Sequence, residues 1–170
     1  MMIQKLYHVA YRCNNSQETV DFYTKVLGLK FAMAVSQDRV PSTGEEVPYI
    51  HIFFEMADGS NVAFFELPQA ARAIPDTNTP PWVQHLALEV SSRADLMEMK
   101  ERLEKNNVSF IGPVDHGTIN SLYFFDPNGH RLEVALRVNE QVREERAKAR
   151  FDVLKDWNAK WHPELAKARH

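Results

Sequence analysis

The chain has 170 residues, 44% of them hydrophobic, and a formal net charge of −3. That length and apolar content make one compact domain or two small modules, and the negative balance argues against nucleic acid as a partner. No apolar run approaches the roughly 20 residues of a membrane span, the N-terminus lacks the zones of a signal peptide, and a lone Cys13 suits a reducing cytoplasm as a small buried hydrophobe.

Lys5 to Arg12 is predicted as a strand, with His8, Ala10 and Arg12 on one face and Tyr7, Val9 and Tyr11 on the other. Asn15 or Ser16 can cap a helix carrying Val20, Tyr23, Val26 and Leu27 on one stripe, and Gly28 supplies its left-handed end. Strands follow over 29–36, 49–54 and 62–67, with a polar loop over 37–48 and a turn at Ala57-Asp58-Gly59. The four prolines within 68–82 make that stretch a linker. A strand over 83–90 then alternates His85, Ala87 and Glu89 against Leu86, Leu88 and Val90. Ser92 caps a helix with Leu96, Met99 and Leu103 inward, and strands over 110–114, 121–125 and 131–136 complete the set.

The order β-α-β-β-β therefore occurs twice, in residues 1–67 and 83–138, with His8 and His85 at matching places. This predicts an α+β fold: two tandem modules forming a curved mixed sheet, helices on the convex side and a metal-binding cup on the other. Residues 139–170 form a helical extension whose stripe of Phe151, Leu154, Trp157 and Trp161 needs cover from the domain, a partner subunit or the cup.

His8, His85 and Glu133 are the side chains expected in the cup. Two imidazoles and a carboxylate form a facial triad with open positions, suited to Fe(II), Mn(II), Ni(II) or Zn(II). Around Glu133 runs V-D-H-G-T-I-N-S-L-Y-F-F-D-P-N-G-H-R-L-E, residues 114–133, with Tyr123 on the face of Ser121 and Phe125. Its His116, Leu122, Tyr123, Asp126, Pro127, Gly129 and Glu133 resemble the signature of type I extradiol ring-cleavage dioxygenases. These belong to the vicinal-oxygen-chelate superfamily, with glyoxalase I, methylmalonyl-CoA epimerase and the fosfomycin and bleomycin resistance proteins.

The resemblance implies Fe(II) on His8, His85 and Glu133, with His116 and Tyr123 handling the oxygens of a small catechol-like substrate, in a homodimer. It also opens a second reading, a glyoxalase-like lyase or epimerase with Glu66 as fourth ligand on Ni(II) or Zn(II). A metal-free binding or resistance protein is a third. The family usually carries another active-site histidine from the first module; the only strand candidate for it is His51, which pairing Phe53-Phe54-Glu55 with Phe124-Phe125-Asp126 puts on the helix side, leaving a gap in the fit. Phe53, Phe64 and Phe125 are expected to wall the cup, and His130, His162 and His170 to face solvent.

Overall fold

The computed structural model describes residues 2–74 and 76–164, and His170 lies outside them. Module one comprises β1 (His8–Cys13), α1 (Ser16–Asp21), a π-helical turn (Phe22–Val26), β2 (Lys30–Gln37), β3 (Tyr49–Glu55) and β4 (Asn61–Glu66). Module two comprises β5 (Leu86–Val90), α2 (Arg93–Lys105), β6 (Phe110–Asp115), β7 (Ile119–Phe125) and β8 (Arg131–Arg137). The chain then continues into α3 (Glu140–Trp161). The tandem repeat is thus present, with element ends moved by one to three residues. No helix among the described residues is long and apolar enough to cross a membrane.

Local chemistry sets the helix ends. Asn15 Oδ1 accepts from the Glu18 N–H, and Ser92 Oγ accepts from the Asp95 N–H, so each helix begins with a satisfied donor. Gly28, at φ 77°, ends the first helix where a side chain would strain the backbone. The orphan carbonyls there are met from the other module: Arg102 on α2 donates to Val26 O at 2.8 Å and Lys25 O at 3.1 Å.

Each module forms its own four-stranded mixed sheet, β1-β4-β3-β2 and β5-β8-β7-β6. Among the described residues no ladder joins them, so the expected curved mixed sheet is built as two halves, one from each module. Alternation explains how they meet. Val62 and Phe64 on β4, Ile52 and Phe54 on β3, Leu122 and Phe124 on β7, and Leu132 and Val134 on β8 all enter one buried cluster with both helices. Phe64, expected at a cup wall, is part of this core.

Polar groups bolt the modules together inside it. The fully buried Tyr23 donates to Asp126 Oδ2 at 3.1 Å, and burial, reinforced by that carboxylate, pushes its phenol well above the ordinary range. Asn128 in the same turn donates to Thr19 Oγ1 and accepts from the Asn14 N–H. The Asp126-Pro127-Asn128-Gly129 turn is therefore a docking point for the first helix as well as a strand connection. Tyr23→Phe leaves a buried carboxylate oxygen short of a donor and should lower unfolding free energy by about 1–3 kcal/mol, read by urea denaturation. A change within error would mean the bond contributes nothing net.

The tail departs from the simplest expectation. Asn139 caps α3, yet none of its residues is buried, and Phe151, Leu154, Trp157 and Trp161 are each more than half exposed. The stripe does not pack on its own domain. The body is reached instead through Arg146, which donates to His116 O at 3.3 Å and Thr118 Oγ1 at 3.4 Å.

Candidate active site

On module two, the outward face of β7 and β8 places Tyr123 directly opposite Glu133 and Ser121 opposite Ala135. The Glu133 carboxylate is 3% exposed yet well supplied with partners. Oε1 accepts from Ser121 Oγ, and from the Tyr123 hydroxyl at 3.0 Å, while Oε2 lies 2.9 Å from His85 Nε2. The Tyr123 hydroxyl is also 2.9 Å from His116 Nε2. Since the phenol proton serves Glu133, the second contact requires His116 Nε2–H as donor to the phenol oxygen. Burial, with Glu133 beside it, holds the Tyr123 phenol above its ordinary value, so it stays protonated through neutral pH. Four of the expected site residues, His85, Glu133, Tyr123 and His116, thus form one connected chain.

His85 is arranged as a metal ligand would be. Its Nδ1 lies 3.2 Å from Val83 O and its Nε2 2.9 Å from Glu133 Oε2. With a metal present, donation from Nδ1 to Val83 O would free Nε2 to coordinate, and an imidazole beside a carboxylate is a donor pair that fits a divalent metal. A third ligand is not beside them. Among the described residues no group of three His, Cys, Asp or Glu side chains is close enough to hold a metal.

His8 is on module one, on the outward face of β1, with its Nδ1 shut from solvent and unpartnered. Its neighbours are Tyr7, His51 and Phe53. All of these ring neighbours belong to module one, whereas His85 and Glu133 stand on module two.

His51 belongs to the same outward face as His8, correcting its assignment to the helix side. Its ring stacks on Phe65 at 3.6 Å between centroids, and burial, with His8 adding to it, lowers its pKa to about 4. Glu66 is turned the opposite way. It follows Val62 and Phe64 on the core face, and its Oε2 accepts from the Ser16 N–H at 2.6 Å. His130, expected in solvent, is half-buried, and its Nε2 donates to Arg12 O at 2.8 Å. His162 is exposed beside Glu164. Phe53 lies in the His8 cluster, and Phe125 is half exposed at the end of β7.

The module-one counterpart of Glu133 can be read from strand register. Ala87, two residues after His85, pairs with Glu133; Ala10, two residues after His8, pairs with Ala63. The equivalent position is thus Ala63, which has no donor atom. The repeat supplies two histidines and one carboxylate.

Paired βαβββ modules with a polar cluster on one outward sheet face define the class of duplicated-scaffold proteins to which this fold belongs. The chain belongs to the Glyoxalase/Bleomycin resistance protein/Dioxygenase superfamily, whose model matches residues 5–134. It is 32% identical over 136 residues to MhqA of Bacillus subtilis (strain 168), assigned as a ring-cleaving dioxygenase; the match covers 78% of this chain and 40% of that protein. It is 28% identical over 130 residues to lactoylglutathione lyase of Escherichia coli O157:H7, covering 76% of this chain and 90% of that enzyme. Among solved structures, the fosfomycin resistance protein FosX of Listeria monocytogenes, complexed with Mn(II) and sulfate, superposes with a TM-score of 0.59 at 18% identity. That match covers 82% of this chain and 98% of FosX.

Proposed function

We propose that the protein is an extradiol-type dioxygenase that opens a small catechol-like ring in the cytoplasm, with Fe(II) as its metal. The observation that carries this reading is one of register: Ala63 stands at the module-one position equivalent to Glu133, where a second carboxylate would otherwise be a fourth ligand. Three protein ligands leave room for a chelating substrate and dioxygen, whereas a lyase using the metal only as a Lewis acid has no need of that room. The hydrogen-bonded His116, Tyr123 and Glu133 add an acid–base pair suited to a substrate that must lose and regain protons. The likeness to MhqA supports the same reaction class.

His85 and Glu133 would hold the metal with His8 contributed by a second copy of the chain, in a homodimer with two shared sites. His51 would enter with His8, completing the polar lining. When bound, the metal supplies Lewis acidity and a path for electrons between ring and dioxygen. The protein's own groups do the rest. With Glu133 on the metal, the Tyr123 proton would turn from Oε1 to a substrate oxygen as negative charge develops, and His116 Nε2–H would steady the phenol or pass a proton on. The glyoxalase-like lyase stands as a second reading because this chain covers nine tenths of such an enzyme.

Anaerobic purification, metal analysis and oxygen uptake with unsubstituted and alkyl catechols separate the two. Iron with stoichiometric oxygen consumption and a yellow ring-opened product is expected. Nickel or zinc, with turnover of a hemithioacetal and no oxygen uptake, would overturn the proposal in favour of the lyase.

A further inference from the structure

Arg131 precedes Glu133 by two residues and shares its outward face. Its guanidinium lies over the Tyr123 ring, 4.7 Å from the centroid, so the cation is held against the side chain that binds Glu133 and His116. Of the five N–H donors on a guanidinium, one is engaged among the described residues, Nη1 with Pro81 O at 3.2 Å. The Nε is shut from solvent with no partner, and no carboxylate among the described residues pairs with the charge. A half-buried, unneutralised arginine next to a reaction site calls for an anion.

A space for one lies beside it. A cavity of about 410 Å³ opens between the linker and the β7–β8 turn, lined by Arg131, His85, Phe125, Gln84, Pro81 and Tyr11 among others. It accommodates one substituted ring. Asp76 also borders the cavity and keeps its negative charge, but it is held by neutral donors of its own loop, Oδ1 by the Asn78 N–H at 2.8 Å and Oδ2 by the Thr79 hydroxyl at 2.6 Å, and makes no ion pair with Arg131. Arg131 is thus a cation on this cavity with no carboxylate paired to it among the described residues.

We propose that Arg131 anchors a carboxylate on the substrate, so that the site takes aromatic acids whose ring lies in this cavity with the reacting oxygens toward His85. The proposal rests on the reading of the site as one for a small aromatic molecule, while the anion anchor itself needs no metal. It is tested on metal-free full-length protein by calorimetric titration with benzoate and its uncharged isostere benzamide. Wild type is expected to bind benzoate at least about 10-fold tighter, the scale of one charge-assisted hydrogen-bonded contact. Arg131→Gln should abolish the difference, and Arg131→Lys, which keeps the charge but loses the planar fork, should retain part of it. Arg93→Gln, on α2 away from the cavity, should retain all of it. Equal binding of the two probes by wild type, or a preference that survives Arg131→Gln in folded protein, overturns the anchor. A benzoate preference in a protein that takes up no oxygen with any catechol would leave the anchor standing and remove ring cleavage.

Discussion

Mixing two inactive variants, His8→Ala and Glu133→Ala, is expected to restore about a quarter of wild-type oxygen uptake, because closed two-fold pairing puts one undamaged site in each mixed dimer. His8 lies at one end of β1 with an unpartnered Nδ1, and His85 and Glu133 lie together on the other sheet without a third ligand. Both outward faces turn away from a core that the modules share, and the proposed homodimer would bring them together across two chains. In a mixed dimer, the His8→Ala chain still offers an intact His85 and Glu133, and the Glu133→Ala chain supplies an intact His8. Half of randomly assembled dimers are mixed, and each has one of its two sites whole. Either variant alone should bind the metal weakly and lose at least about 1,000-fold in turnover, since it lacks a direct ligand. Mixtures that stay at the level of the separate variants after unfolding and joint refolding would show that no site is shared.

The second large effect concerns Tyr123 and His116. Tyr123→Phe removes the donor to Glu133 and the acceptor for His116 Nε2–H together. Turnover should fall by about 100- to 1,000-fold with metal content unchanged, the usual scale for a lost proton donor or oxyanion partner. His116→Ala should do about the same. The double variant should be hardly worse than either single one, because two groups in one hydrogen-bonded relay fail as a unit. Additive losses would make the two residues independent, and loss of metal in Tyr123→Phe would make the phenol a support for the ligand instead.

Much of module two could be read directly. The alternation of Ser121, Tyr123 and Phe125 against Leu122 and Phe124, and of Glu133 against Leu132 and Val134, is the alternation the sheet displays. The helix caps and the Asp-Pro-Asn-Gly turn were equally local, hence visible. Module one misled through a one-residue slip. Phe53-Phe54-Glu55 looks like Phe124-Phe125-Asp126, but the turns align otherwise: Met56 N–H bonds Ser60 O just as Asp126 N–H bonds His130 O. Met56 is therefore the counterpart of Asp126, and Phe54 that of Phe124. A slip of one residue reverses a strand's faces, which is why His51 was expected among the helices. With the turns matched, Gly59 and Gly129 each precede the compared position by four residues, and that position is Ala63 in one module and Glu133 in the other. How the modules pack was less legible still. Alternation says which face of each sheet is oily, not whether two oily faces cover separate helices or meet in one interior.

The meeting of those interiors limits how the molecule can be divided. With Tyr23 reaching into the far turn and Arg102 reaching back to close the first helix, neither half has a finished hydrophobic interior of its own. A proteolytic nick in the proline-rich linker would leave two fragments clasped together, but a half synthesised alone would display its aromatic side to water. Though the repeat looks like two interchangeable pieces, the shared interior makes them one cooperative folding unit.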